Sequence, residues 1–351
     1  MSSLPGSGKR VLLTGASGFI AAHVLKILLD QGFWVRATVR SVTKQRAIEA
    51  AYPNATLDFA IVEDIGAPHA FDKAVVADPP LDAVIHTASP FHMNVQDPKK
   101  DMLDPAVQGT RGLLESIKAY APSVKRVVVT SSFAAILDAD KLSPPWPGKV
   151  YTEEDWNPVT WERAINDPVN TYRGSKTFAE KAAWDFVKTE KPNFDLVVLN
   201  PPMVFGPIIN DQTLATLNTS NQRVNGYLSG QLKEVAPSGV HLWIDVRDLA
   251  LAHVLAVTVP EAGGQRFFTL ADGTYSNQEI CDFLRKNFPE IRDRVPEGKP
   301  GTGLGLKPGE YFVGDNSKSK KILGITYRGL EESIIDTAKS ILELEKKASA
   351  A

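Results

Sequence analysis

The sequence predicts an α/β protein built on a doubly wound parallel sheet, and three observations carry that prediction. Apolar runs of strand length alternate with amphipathic stretches through the first part of the chain. The first run ends in a glycine turn that opens a helix. Segments rich in Pro, Trp and Gly then interrupt the alternation. The runs are Val11–Thr14, Phe33–Val39, Leu57–Val62, Ala83–His86, Arg126–Thr130 and Leu196–Asn200, and Phe267–Leu270 adds a late strand. Between them lie His23–Leu29, Ala106–Ala119 and Lys176–Lys188. Strands alternating with helices of about ten or more residues indicate βαβ units and a sheet covered on both faces.

The turn is Gly15-Ala16-Ser17-Gly18, after Leu12-Leu13-Thr14 and before Phe19-Ile20-Ala21. Glycines there let backbone N–H groups at a helix N-terminus approach a pyrophosphate, which a side chain would prevent. The spacing is Gly-x-x-Gly-x-x-Ala rather than Gly-x-Gly-x-x-Gly, and its place in a strand–turn–helix unit favours a Rossmann-type nucleotide site.

A chain of 351 residues, 43% hydrophobic and 23% charged, buries a full core. A formal charge of −2 gives no reason to expect nucleic acid or an anionic membrane as partner. Cys281 is the one cysteine, which excludes an intrachain disulfide or thiolate metal cluster. No run reaches the roughly 18 apolar residues of a bilayer span. Met1 to Arg10 reads as a polar tail without a signal-peptide core, so a cytoplasmic protein is expected. The six histidines show no metal-ligand spacing, and no metal is expected.

Residues 138–170, 201–239 and 272–309 break the alternation, and long irregular segments in a compact enzyme are often pocket walls or lids. The expected division is a dinucleotide-binding domain over 8–200, with a contribution from 240–270, and a smaller discontinuous substrate lobe mainly from 201–239 and 271–345. That lobe is expected over the carboxyl ends of the strands, where ligands bind in such folds.

The end of the second strand points to the cofactor. An NAD-selective site places a carboxylate about 20 residues beyond the glycine turn to hold the ribose hydroxyls. No acidic residue lies between Gly32 and Lys44, and Val39 occupies the expected place. Arg40, with Lys44 or Arg36 behind it, suits a 2′-phosphate instead, and NADPH/NADP+ is the expected cofactor.

Of eight tyrosines, Tyr172 is the only one followed by lysine four residues on, which puts Lys176 on the same helical face. A Thr130-Ser131-Ser132 strand end lies upstream. Carbonyl reduction needs this set: hydride goes to carbon while the oxygen gains a proton. A phenol, of pKa about 10, supplies it well only when shifted toward neutral. Lys176 is expected to favour the phenolate, and Ser132 to donate to the same oxygen. Asp245-Val-Arg-Asp248 reads as the capped start of an apolar helix.

These residues in this order resemble the extended short-chain dehydrogenase/reductase superfamily, over about Arg10 to Glu345. Thr14–Ile20, Val35–Arg40, His86–Phe91, Asp167–Tyr172 and Asn200–Pro207 resemble dihydroflavonol reductases and their fungal relatives. Asp245–Asp248 and Lys318–Gly324 bring the chain especially close to the yeast methylglyoxal/isovaleraldehyde reductase group, which reduces aldehydes and ketones with NADPH. The resemblance implies that Ser132, Tyr172 and Lys176 are catalytic. It implies that Gly15, Ser17, Gly18, Phe19 and Ile20 hold the pyrophosphate, and Arg40 and Lys44 the 2′-phosphate. Asp64 and Ile65 then meet adenine; Thr87, Ala88 and Ser89 the ribose; Pro201 and Val204 the nicotinamide; Tyr172 and Lys176 also contact the cofactor. Ala21 departs from the superfamily's third glycine, and Arg36 leaves open which arginine meets the phosphate.

Beside these positions Phe91, Phe133, Leu137, Val169 and Met203 are apolar, and they predict a small hydrophobic aldehyde or ketone as substrate rather than a charged sugar. The expected assembly is a monomer or homodimer. Three other activities fit the scaffold: a dihydroflavonol or cinnamoyl-type reductase, a nucleotide-sugar epimerase or dehydratase, and a non-catalytic redox sensor. The basic residues after the second strand count against the epimerase, and the serine–tyrosine–lysine set counts against the sensor.

Overall fold

Seven parallel strands run in the order β10-β7-β5-β4-β1-β2-β3. They are β1 (Arg10–Thr14), β2 (Trp34–Val39), β3 (Leu57–Ile61), β4 (Ala83–His86), β5 (Arg126–Thr130), β7 (Asp195–Leu199) and β10 (Arg266–Phe267). The computed structural model describes Gly6 and residues 8–89 and 95–350. Two parallel pairs stand apart from the sheet: β6 (Val150–Tyr151) with β11 (Val313–Gly314), and β8 (Met203–Phe205) with β9 (Trp243–Asp245). The strand order reverses between β1 and β4, so a crevice opens at their carboxyl ends, the usual ligand position in an open α/β sheet.

The helices are α1 (Phe19–Asp30), α2 (Val42–Ala51), α3 (Asp72–Val75), α4 (Asp104–Tyr120), α5 (Trp161–Asn166), α6 (Pro168–Glu190), α7 (Thr219–Leu228), α8 (Val246–Thr258), α9 (Asn277–Asn287), α10 (Ser317–Leu323) and α11 (Leu330–Ala350). Their starts follow local chemistry. Ser41 caps α2, Ser276 caps α9 and Asp245 caps α8 through the Arg247 N–H. Asp167 caps α6 and Pro168 supplies its first residue, where a missing N–H costs nothing.

One face of the sheet packs on α1 and α8, through Val24, Leu25 and Leu28 against Ala250, Val254 and Ala256. The other packs on α4 and α6, through Leu113, Leu114 and Ile117 with Ala183 and Phe186. All five β1 residues are buried, as a central parallel strand requires. A separate core lies beyond the sheet. Phe205, Val224, Tyr227, Trp243, Ile280, Leu284, Ile334 and Ala338 bring α7, α9 and α11 together there. Cys281 is buried in the same core. Leu323 and Ile325 instead join the α1–α8 core, so α10 and the turn after it rest on the nucleotide side of the molecule.

The late strand is shorter than Phe267–Leu270. Only Arg266 and Phe267 pair with β7, because Phe268 and Leu270 turn into an aromatic cluster with Phe133, Tyr151 and Phe312. No helix among the described residues is long and apolar enough to cross a membrane.

Candidate active site

At the end of β1, Gly15 has φ +69, and a Cβ added there would lie 3.0 Å from the Ala88 Cα. A left-handed backbone and a backbone neighbour at that range leave room only for glycine. The turn is pinned from β2: Gly15 N–H donates to Thr38 Oγ1 and Ala16 N–H to the Thr38 carbonyl. Gly18 stands at the N-cap of α1 and offers no side-chain oxygen, nor does the first turn carry an acidic residue. The opening N–H groups of α1 thus have no carboxylate competing for them, and the helix dipole adds positive potential. This cradle fits a dinucleotide pyrophosphate.

Beside the turn, Thr87 Oγ1 donates to the Thr14 carbonyl at 2.6 Å, and Ala88 N–H donates to Thr14 Oγ1. The Thr14 hydroxyl also meets His86 Nδ1 at 2.8 Å. Burial pushes the His86 imidazole down to about 3, aided by the charge on Lys176, so it is neutral at physiological pH. Ser89 continues this segment and accepts a hydrogen bond from Lys176 Nζ at 3.0 Å. Ile65 packs with its side chain against Gly109 of α4, and Asp64 Oδ1 accepts the Gly66 N–H. Phe19 and Val204 share a small cluster with Ile244 and Leu249, with Ile20 packed against it. Pro201 is buried, and its carbonyl accepts the Phe133 N–H.

The two arginines separate cleanly. Arg36 sits mid-strand opposite Asp58 of β3 and donates to its Oδ2 at 2.6 Å and to the Ala74 carbonyl. Arg10 uses the same Asp58 oxygen. Arg36 is therefore held away from the strand ends. Arg40 follows β2, exposed and without an ion-pair partner among the described residues. Lys44 reaches Asp211 at 3.3 Å, and Asn210 donates to the Ser17 carbonyl, so the segment after Pro207 lies across the glycine turn.

On the opposite side of the crevice, Tyr172 and Lys176 lie one turn apart near the start of α6, and the Ser132 side chain neighbours the Tyr172 phenol. Burial raises the Tyr172 phenol above its usual range, while Ser132 and the charge of Arg173 pull it down. Lys176 is not among the groups that shift this phenol. The ammonium points to Ser89, and burial lowers Lys176 itself to about 8, with Glu180 working in the opposite direction.

The expected pocket positions do not converge. Phe133 and Leu137 are buried with Tyr151, Phe268 and Phe312, and Phe133 stacks on Phe268 with centroids 4.9 Å apart. The reason is local: Ser132 caps a short turn over Phe133–Ala135 that folds these side chains inward. Met203 packs on the core of α7, α9 and α11. Val169 is 65% exposed at the start of α6, and Phe91 lies outside the described residues. Asp245 and Asp248 serve structure, through Arg247 and Arg328 respectively. No group of side chains suited to a metal ion occurs among the described residues.

Sequence reasoning passed over a buried polar node behind the catalytic candidates. Glu180 accepts from Ser131 Oγ at 2.5 Å, Asn200 Nδ2 at 2.7 Å, Arg266 Nε at 2.5 Å and Trp184 Nε1 at 3.3 Å. Its only signal in the sequence is a carboxylate one further turn along the face that carries Tyr172 and Lys176.

A doubly wound sheet with a glycine cradle facing a serine–tyrosine–lysine corner defines a dinucleotide-binding α/β oxidoreductase. The chain belongs to the NAD dependent epimerase/dehydratase family, whose model matches residues 11–271. The ketoreductase azaE of Aspergillus niger is 48% identical over 341 residues, covering 95% of this chain and 98% of that protein. A putative NADPH-dependent methylglyoxal reductase, GRP2 of Candida albicans, is 42% identical and covers 96% of this chain and 99% of its own length. Among solved structures, yeast methylglyoxal/isovaleraldehyde reductase Gre2 complexed with NADPH superposes with a TM-score of 0.87 at 39% identity, over 96% of this chain and 99% of that one. The resemblance read from the motifs therefore holds, at the level of both family and fold.

Proposed function

We propose that this protein is an NADPH-dependent reductase of small apolar aldehydes and ketones, with Tyr172 as proton donor. The observation that carries the reading is Ser132 beside the Tyr172 phenol, across the crevice from the Gly15–Ala88 cradle, with Lys176 bridging to Ser89. When bound, NADPH would supply the hydride. The residues proposed to hold it are Gly15, Ser17, Gly18, Phe19 and Ile20 at the pyrophosphate. Arg40 and Lys44 take the 2′-phosphate, Asp64 and Ile65 adenine, Thr87, Ala88 and Ser89 the ribose, and Pro201 and Val204 the nicotinamide.

Ser132 and Tyr172 present two hydroxyls to one carbonyl oxygen. As negative charge develops there, Ser132 donates a hydrogen bond and Tyr172 transfers its proton, becoming phenolate. Arg173 and Ser132 already favour that phenolate. Lys176 keeps its ammonium on the ribose side through Ser89, positioning the ring rather than the proton. The core built from α7, α9 and α11, within residues 201–239 and 271–345, forms the substrate lobe of this reading, and residues 8–200 with 240–270 form the nucleotide domain. Val169 and Met203 remain its pocket candidates.

The test is Tyr172→Phe assayed by NADPH consumption with a panel of aldehydes, α-ketoesters and aryl ketones. Turnover falls about a thousandfold, while NADPH affinity by fluorescence titration stays within about twofold, since no hydrogen bond to phosphate is lost. Turnover near that of the unaltered protein refutes the role.

A further inference from the structure

We infer that Glu180 is a positioning residue: its carboxylate keeps Lys176 charged from behind and locks the strand end bearing Ser132 to the helix bearing Tyr172. The inference rests on the reading above and concerns how its reactive corner is held together.

The geometry is that of a hub. The Glu180 side chain is fully buried, and each of its oxygens receives two or more donors. The donors come from four places: Ser131 after β5, Asn200 after β7, Arg266 in β10 and Trp184 one turn along α6. Asn200 Nδ2 also donates to the Ser132 carbonyl at 3.1 Å, so the hub holds Ser131 by its side chain and Ser132 by its backbone. Arg266 is anchored in turn to the carbonyls of Glu153 and Asp155 at 2.6 Å, and its guanidinium stacks on Trp156 at 3.8 Å. The segment 153–156 and the sheet edge are thereby tied into the same arrangement.

A buried ion pair is a poor device for stability alone, because desolvation offsets much of the attraction. Its placement here suggests another use. Lys176 and Glu180 line one cleft, with Ser89, Thr110, Thr130 and Ser131 between α4 and the strand ends. The titratable groups facing Lys176 are His86 from β4, with Tyr172 one turn before it and Glu180 one turn after it on α6. Arg266 of β10 stands behind Glu180, while among the described residues α4 brings Ala106 and Thr110, β5 brings Val129 and Thr130, and Ser131 follows it. His86 is neutral, and among the described residues Glu180 is the anion that favours the charge on Lys176. Without it, burial acts unopposed on the ammonium.

The experiment measures the protonation of Lys176 directly, in the full-length protein without nucleotide. Pulse labelling with acetic anhydride across a pH series, read by peptide mass spectrometry, gives its midpoint. That midpoint lies at about 8 in the unaltered protein and falls by about one pH unit in Glu180→Gln, while Glu180→Asp, which keeps the charge, holds it near the original value. The alkaline limb of kcat for carbonyl reduction moves down with it. If Glu180→Gln does not fold, Glu180→Gln combined with Arg266→Met, which leaves no unpaired buried charge, carries the same readout. A midpoint unchanged in the variant, with only thermal stability reduced, overturns the inference and makes the hub purely structural. Failure of the functional reading is separate: it shows as undiminished turnover in Tyr172→Phe and leaves the Lys176 midpoint untouched.

Discussion

The two halves of the crevice are built by opposite means. At the end of β1 the shape is made by backbone: a left-handed glycine, N–H groups of a helix start and the close approach of Ala88. At the end of β5 it is made by side chains: Ser132 against Tyr172, Lys176 on Ser89, and Glu180 gathering donors from distant segments. A site made of backbone is damaged by adding atoms, and one made of side chains by removing them.

The largest effect expected on the backbone side follows from a single methyl group. Gly15→Ala places a Cβ against the Ala88 backbone at a positive φ, a strain of about 1–3 kcal/mol. NADPH affinity by calorimetry should fall about a hundredfold, because the turn must move out of the pyrophosphate position. An affinity within threefold of the original would show that the turn is not the cradle described.

Next in size is Arg40→Asp. A charged hydrogen bond to phosphate contributes about 1.5–3 kcal/mol, so the ratio of NADPH to NADH affinity should drop at least about tenfold. Arg36→Gln, which breaks the Asp58 pair, should lower stability and leave that ratio unchanged. The reverse pattern would exchange the roles of the two arginines.

The last effect is on stability against pH. His86 and His253 are buried neutral, with imidazoles pushed down to about 3 and about 4, against an ordinary value near 6.5. The unfolded chain binds protons below pH 6.5 that the folded chain refuses, so stability is full above that pH. It declines as pH falls toward the folded values. The loss is about 1.4 kcal/mol per histidine for each pH unit in that window. Chemical denaturation at pH 7.5 and 5.5 should show it, and His253→Gln should flatten the dependence. Equal slopes in both proteins would remove His253 from the account.

The same contrast explains what the sequence disclosed. Six of the seven central strands, part of the seventh, and the helices α1, α4 and α6 were legible, because alternation of apolar runs is a local pattern and parallel strands buried on both faces preserve it. The glycine turn was legible because a backbone requirement leaves one residue type at a fixed spacing. Tyr172 and Lys176 were legible as a pair because a helical turn fixes their separation. Glu180, Asn200 and Arg266 were not, since they come together only through tertiary packing and each alone is an ordinary polar residue. Phe133 and Leu137 illustrate the reverse limit. Proximity to Ser132 in sequence placed them at the site, but a single capped turn rotates them into an aromatic core. Arg36 is the third case: alternation along β2 decides that its side chain faces Asp58.

The lone cysteine of the chain gives this arrangement a chemical temperament. Cys281 is sealed in the core shared by α9 and α11, and burial pushes its thiol up to about 12. Electrophiles attack the thiolate rather than the neutral thiol. A molecule proposed to spend its life among reactive aldehydes thus presents them with no sulfur nucleophile while it stays folded, and tolerates its own substrates.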